Sequence, residues 1–307
     1  MVTAGRRKKL GILKQTRVDI IFDIVNVSLV TLFFLAVAYP LLFVVIASIS
    51  DPTYVNTGQV VLWPRGVTFA AYEELFGAPT IWRGYLNTII YAGFGSVLAV
   101  GATLGLAFAL SRRELVGRKA LNILVVFTML FSGGLIPLFL LVRSLGLYNS
   151  RIWMILHLMT AGFWIMIART FFQGLSEELI ESARMDGCND IQYFFHIALG
   201  LSKALIAVLF LLTIVQKWNS YFVPMIYLND QEKFPLQLVM RNILRVQQVS
   251  AMDALGVQDG ETMADMLKKA DLIKYAVIIV GSLPVLLIYP FIQRYFMKGV
   301  MLGSVKG

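Results

Sequence analysis

Long apolar runs separated by short polar stretches dominate this chain. A membrane-crossing helix needs roughly 20 apolar residues, and six runs reach that length. The first extends from about Ile20 to Ser48, with Asp23 and Asn26 near its start and Pro40 inside. The second covers about Leu86 to Leu110 and is rich in Gly and Ala. The third covers about Leu121 to Val142 and is interrupted by Ser132-Gly133-Gly134 and Pro137. The fourth spans about Ile152 to Phe171, the fifth about Ala204 to Ile226, and the sixth about Leu272 to Phe296, with Pro284 and Pro290. The pattern predicts an all-α polytopic membrane protein with six transmembrane helices. In lipid, freed backbone groups must find partners inside the protein, so breaks lie against protein or a water-filled cavity. A packing kink is the plainer expectation for the Gly and Pro of the third and sixth runs.

One polar stretch differs from the others. Ser176 to Leu201 is charged and amphipathic, yet lies between two apolar runs. Ser176 is placed to cap a helix through its hydroxyl, and Glu177 and Glu178 follow in the first turn, where negative charge suits the positive helix end. Leu179, Ile180 and Ala183 form an apolar stripe, and Glu181 and Arg184 are close enough to pair. Gly187 suits the left-handed conformation that closes a helix. Asn189 or Asp190 then caps a second helix, on which Ile191, Phe194 or Phe195, Ala198 and Leu201 recur at helical spacing. The expected product is a helical hairpin at the membrane surface. Its acids, Glu177, Glu178, Glu181, Asp186 and Asp190, outnumber Arg184 and Lys203. Anionic lipid would repel them, so docking into a groove of a soluble partner fits better than lying flat on headgroups.

Composition agrees with a membrane chain: 58% of the 307 residues are hydrophobic and only 15% charged, against about a quarter charged in soluble domains. The formal charge of +9 does not mark a nucleic-acid binder, because the cations sit at the ends of apolar runs and not on a soluble face with interleaved aromatics. Arg6, Arg7, Lys8, Lys9, Lys14 and Arg17 place the N-terminus in the cytoplasm, ahead of an uncleaved first span and not a signal peptide. Arg112, Arg113, Arg118 and Lys119 put the second-to-third connection on the same side. Six spans then leave the hairpin and the tail, with Arg294, Lys298 and Lys306, in the cytoplasm too. Lys233, Arg241, Arg245, Lys268 and Lys269 fall in a segment assigned outside, but long loops translocate largely regardless of charge. The expected organisation is a basic N-terminus (1–19), a transmembrane domain (20–297) and a tail (298–307). Within the domain lie the hairpin (174–201) and external segments (51–85 and 227–271), with a short external turn near Gly146 to Ser150. The lone Cys188 excludes an intrachain disulfide, and His157 and His196 are too few and too separated for a zinc site.

Glu181-Ser182-Ala183-Arg184-Met185-Asp186-Gly187, followed by Phe194, Ile197 and Leu199, resembles the EAA signature of ABC-importer permease subunits. That signature reads Glu-Ala-Ala, two variable residues, Asp-Gly-Ala, then Phe, Ile and Leu-Pro. The chain departs from it at Ser182, Cys188 and Gly200, where proline is usual and gives a rigid start to the fifth helix. Pro40-Leu41-Leu42, Ser50-Asp51-Pro52 and Asn87-Thr88 resemble corresponding parts of carbohydrate importers. Phe131-Ser132-Gly133-Gly134-Leu135-Ile136-Pro137 and Trp218-Asn219-Ser220-Tyr221-Phe222 resemble a subgroup that takes up oligosaccharides and polysaccharide fragments, including pectin- and alginate-type uronates. Lys298-Gly299-Val300-Met301 through Gly303-Ser304-Val305-Lys306-Gly307 is similar to the ending of the subunit related to the second maltose permease.

The resemblance implies a type I importer permease in the bacterial cytoplasmic (inner) membrane, both termini cytoplasmic. Its partners would be a homologous second permease, two ATPase subunits and an extracytoplasmic solute-binding protein, with membrane lipid around it. No Gly-x-x-x-x-Gly-Lys-Ser/Thr loop occurs, so this chain has no phosphate cradle of the ATPase type. It is expected to be no enzyme and to carry no cofactor or metal, ATP and Mg being bound by the ATPase subunits. Glu181, Ser182, Ala183, Asp186 and Gly187 are the implied coupling residues: Glu181 bonding a basic group of the ATPase, Ala183 permitting close approach, Gly187 shaping the turn. For a solute path, Trp218, Asn219 and Tyr221 offer the ring faces and amides that sugars need, although aromatics also anchor at membrane interfaces. Lys217, a cation in an apolar run, is a path candidate by default and equally able to snorkel to headgroups. In the 227–271 segment, Asp253, Asp259, Glu261 and Asp265 are expected to meet the solute-binding protein.

The alternative is an ion-coupled secondary transporter of a small polar solute. Such proteins carry inward-facing Asp, Glu or His, and here the intramembrane acids reduce to Asp23 near an interface. An intramembrane enzyme would need a nucleophile and base near the midplane. His157 has no evident partner of that kind.

Overall fold

The computed structural model describes residues 16–157, 159, 161–254 and 271–290, and within them every regular element is helical. The basic run 6–14, the tail from Arg294 onward, and Asp259, Glu261, Asp265, Lys268 and Lys269 lie outside the described residues, and nothing is described of the Asp253 side chain. The chain divides into two units, residues 1–68 and 69–307.

The first unit is built on α1 (Arg17–Ser48). Thr16 and Asp19 form a capping box at its start: the Thr16 hydroxyl accepts from the Asp19 amide, and the Asp19 carboxylate accepts from the Thr16 amide at 2.8 Å. Such reciprocal bonds satisfy two otherwise unpaired donors. Pro40 sits inside α1 without ending it. The helix is apolar all round, with a mean hydropathy of 2.7 over its best window, and its large side chains are exposed. Those are the properties of a lipid-facing span. Asp51 then caps α2 (Pro52–Asn56) by accepting from the Thr53 amide at 2.8 Å.

In the second unit, α3 (Ala70–Gly77) leads into α4 (Pro79–Ser111), around which α7 (Arg151–Leu156), α8 (Gly162–Gln173), α12 (Lys203–Trp218) and α14 (Leu236–Ala254) pack. Its packed face carries small residues, Gly84, Ala92, Gly95, Ser96, Ala99 and Ala107. Small residues let helix backbones approach closely where lipid supplies no hydrophobic drive. A Cβ on Gly84 would lie 3.1 Å from the Leu236 Cα.

The third apolar run is not one helix. α5 (Arg118–Leu130) and α6 (Leu135–Ser144) meet at 114°. Gly134 makes the break at φ 82° and ψ 169°, a region essentially reserved for glycine. The fourth run is likewise divided, into α7 (Arg151–Leu156) and α8 (Gly162–Gln173). Both runs were expected as single spans; in the third, Gly and Pro were expected to kink or break the helix, a packing kink being the plainer expectation. Apolar composition cannot distinguish a helix from two half-helices when backbone partners come from elsewhere in the fold.

The hairpin follows as α9 (Glu177–Met185) and α10 (Asp190–Tyr193), a π-helical turn at Phe194–Ala198, and α11 (Leu199–Leu201). The fifth run is α12 (Lys203–Trp218), ending before α13 (Phe222–Tyr227). A single-turn 3-10 helix (Gln231–Lys233) precedes α14 (Leu236–Ala254). The sixth run is α15 (Asp271–Pro290), within which Pro284 causes no break. Among the described residues, α1, α4 and α15 are long and apolar enough to cross a membrane singly; two pairs, α5 with α6 and the second hairpin helix with α12, reach that length only together and are bent by 114° and 81°.

Candidate functional site

The hairpin is built from its turn outward. At Gly187, φ is +80°, and the amides of Asp186, Gly187 and Cys188 donate to the carbonyls of Ser182, Arg184 and Ala183 at 3.1, 3.0 and 2.9 Å. These bonds close α9 with the residue type that tolerates the left-handed region at least cost. Asn189 is the second cap, not Asp190: its side-chain oxygen accepts from the Gln192 amide at 2.8 Å, and Gln192 returns the bond at 3.0 Å. Ser176 occupies the first cap position but makes no side-chain capping bond, so the expected hydroxyl cap is absent.

Glu181 does not pair with Arg184. The Arg184 guanidinium instead grips both oxygens of Glu114, at 2.7 and 2.6 Å, and lies 3.7 Å from Asp190. A planar fork matches a carboxylate better in this bidentate form than a partner one turn along the same helix can. The bond holds the Glu114 carboxyl below the usual carboxylate range and raises the Arg184 guanidinium further. Arg113 pairs with Glu177 at 2.9 Å, and Arg112 with Asp190 at 3.4 Å. Arg112 also lies over the rings of Phe108 and Tyr193, 4.5 and 4.9 Å from their centres. The α4–α5 connection, residues 112–117, is thus a brace for the hairpin. Sequence reasoning used its arginines only to orient the chain and passed over Glu114.

Beneath the brace, Ala183, Tyr193 and Ala198 enter one buried cluster with Phe108, Ile165, Phe172 and Leu209. Ala183, only 6% exposed, therefore uses its small size against the chain's own core. Glu181, Ser182, Asp186 and Gly187 are exposed. Glu181 lines a cleft of about 520 Å³ with Arg113, Glu114 and Arg184. The outward apolar face belongs to Met185 (88% exposed), Ile191 (70%) and Phe195 (62%). Of the alternatives Phe194 and Phe195, Phe194 turns inward to the Phe108 ring at 4.9 Å and Phe195 turns out. At Gly200 the helix continues with open space beside it. The 81° change of direction into α12 falls at Ser202, whose buried hydroxyl donates to the Ala198 carbonyl at 2.6 Å.

The solute-path candidates do not form one lining. Lys217 is buried and donates to the Ile155 carbonyl at 3.0 Å and to the His157 carbonyl. It does not reach out to headgroups; it satisfies carbonyls left open where α7 stops. A Cβ on Gly95 would lie 2.8 Å from its ammonium nitrogen, so glycine there leaves the room. Trp218 is buried, donating to the Gly281 carbonyl at 3.1 Å with Tyr85 beside it. Asn219 is exposed and bonds back to Val215 at 3.0 Å; Tyr221 is exposed under the Arg241 guanidinium. Asn87 and Thr88 hold the start of α14: Asn87 donates to the Glu232 and Phe234 carbonyls at 2.8 and 3.0 Å, and the Thr88 hydroxyl accepts from the Leu236 amide at 2.8 Å. Among the described residues no cluster of His, Cys, Asp and Glu suits a metal ion.

Among the described residues the chain is helical throughout, and its charged hairpin is braced against its own core. Residues 99–301 match the family described as "Binding-protein-dependent transport system inner membrane component", and the chain belongs to that family. It is a membrane-embedded permease subunit of an ABC transporter, without catalysis of its own. Membership implies a partner permease, an ATPase and a solute-binding protein.

Among relatives, the chain is 39% identical to the polygalacturonan/rhamnogalacturonan transport system permease protein YtcP of Bacillus subtilis (strain 168), over 94% of this chain and 99% of that protein. It is 36% identical to protein LplC of the same organism, over 95% of this chain and 97% of that one. A chain of a solved structure, described as a bacterial ABC transporter involved in the import of the acidic polysaccharide alginate, superposes with a TM-score of 0.80. That match has 33% identity and covers 92% of this chain and 99% of the other.

Proposed function

We propose that this permease imports oligosaccharides or polysaccharide fragments of the acidic pectin or alginate type, and that its hairpin is the seat of an ATPase subunit. The likeness to YtcP and to the alginate importer supports the solute class. The observation that supports the coupling role is the exposure of Met185, Ile191 and Phe195 on the hairpin, beside the exposed Glu181 and Asp186. An apolar face of this kind on a short amphipathic helix fits a groove in a soluble protein. The brace of Arg112, Glu114 and Arg184 gives the hairpin a rigid base, so force applied at Gly187 passes to α4.

In this reading two ATPase subunits bind ATP and Mg in the cytoplasm, where the hairpin and both termini also lie. Their closure biases the paired permeases between inward- and outward-facing states. The solute-binding protein delivers sugar on the far side, near the 51–85 and 227–271 segments. Lys217 and Trp218 shape the fold behind the path, while Asn219 and Tyr221 remain available to solute.

The test is ATPase stimulation of the reconstituted importer by its binding protein, loaded with galacturonate or alginate oligomers or with neutral oligosaccharides of equal length. The acidic oligomers are expected to stimulate and the neutral ones not. Equal stimulation by neutral chains overturns the solute class. Transport by this chain without any ATPase overturns the coupling role.

A further inference from the structure

An apolar groove of about 490 Å³ runs between α4, α5 and α8, lined by Leu106, Leu110, Leu121, Leu124 and Gly162 among others. Leu110 is part of its wall. The Leu110 carbonyl accepts from Arg118 Nε at 3.0 Å and from Arg169 Nε at 3.3 Å. The Gln173 amide oxygen, in the orientation its neighbours favour, accepts from Arg169 Nη2 at 3.1 Å and Arg118 Nη2 at 2.5 Å.

Two guanidinium groups therefore share one carbonyl and one amide. Arg112, Arg113 and Arg184 nearby each pair with a carboxylate; among the described residues Arg118 and Arg169 form no ion pair, although Arg118 and Gln173 share a cleft with Glu114, Glu177 and Glu181. The C-terminus of α4 cannot account for both. A helix end carries roughly half a negative charge, while the pair brings two positive ones. Each guanidinium also has five N–H donors, more than these two acceptors can occupy.

We infer that this is a site for an anionic phospholipid. One acyl chain lies in the groove, and the headgroup phosphate accepts from Arg118 and Arg169. Basic pockets between membrane helices hold anionic headgroups by this combination of charge and adjacent apolar surface. Phosphate between the two arginines would offset their repulsion. It would also tie the start of α5 to the end of α8, steadying the connection that carries Arg112 and Glu114. The inference rests on the membrane placement of the chain and not on the coupling role of the hairpin.

The whole importer, stripped of lipid in detergent, is titrated with phosphatidylglycerol, with phosphatidylcholine of matched chains, or with inorganic phosphate, and retained lipid is counted by native mass spectrometry. The wild type is expected to retain phosphatidylglycerol over phosphatidylcholine roughly thirty-fold at the site lost in the Arg118→Gln/Arg169→Gln variant. Arg118→Lys/Arg169→Lys keeps the charge and a donor for the Leu110 carbonyl, and is expected to keep the preference. Millimolar phosphate is expected not to displace the lipid. A preference unchanged in the Gln pair, or lost as fully in the Lys pair, overturns the proposal. So does displacement by phosphate, which would mark a free-anion site, or no lipid retained by the wild type, which would mean the second permease fills the groove.

Discussion

Arg184, at the end of the first hairpin helix, holds both carboxylate oxygens of Glu114, seventy residues earlier in the chain. The pair joins the hairpin to the connection leaving α4. Both side chains are largely exposed, so the pair orients more than it stabilises. Glu114→Gln is expected to leave the protein folded, to lower stimulated ATPase activity several-fold, and to leave basal ATPase activity unchanged. Steady-state ATPase assays with and without loaded binding protein check this.

The same pair sets a pH window. Glu114 titrates below its ordinary 4.5, so its folded value lies under its unfolded one. A depressed carboxylate contributes fully above the unfolded value and loses its contribution as pH falls through the folded one. The difference in thermal stability between wild type and Glu114→Gln is therefore expected to stay constant from pH 7 down to about 4.5 and to shrink below that. A difference growing on acidification would reverse the assignment.

Gly187→Pro replaces a φ of +80° with one fixed near −65° and removes the amide that bonds Arg184. The variant is expected to reach the membrane and to lose uptake. Membrane abundance by immunoblot and sugar uptake in the same cells separate the two effects.

Ile191→Asp and Phe195→Asp change exposed positions, where substitutions cost the fold about 0.5 kcal/mol or less. Each is expected to release the ATPase subunit during purification while the two permeases stay together. Unchanged copurification of all subunits would remove the apolar face from the coupling role.

Asn87→Ala would strip two carbonyls of their donor, and Lys217→Met two more. Each buried group left unsatisfied costs about 1–3 kcal/mol. Both variants are expected to unfold at lower temperature in detergent, and Lys217→Met to do so even though Met fills the space. A melting point equal to wild type would mean that water replaces the lost donor.

The sequence announces the helical architecture because lipid enforces it: a charge deficit and apolar runs have few other meanings. Gly187 and Asn189 were legible for the same reason, since few residue types serve a left-handed turn or a cap. The interruption at Gly134 was legible as a kink or a break but not its size, and the break after Leu156 was not legible at all, because both sides of it are as apolar as an intact helix. Arg184 misled because a neighbour on its own helix seemed near enough, while its true partner lies on another element. Lys217 reads as a path residue from its position alone, and only the fold reveals open carbonyls within its reach. The brace escaped notice because its arginines already had an explanation in topology.

The ammonium of Lys217 has a consequence for biogenesis. Its two acceptors leave the ribosome 62 and 60 residues before it does. Until then α7 ends in carbonyls that hydrocarbon cannot solvate, at several kcal/mol for each bare group. One side chain of α12 thus supplies the donor that the end of α7 lacks, so the break in the fourth apolar run is complete only when the fifth is in place.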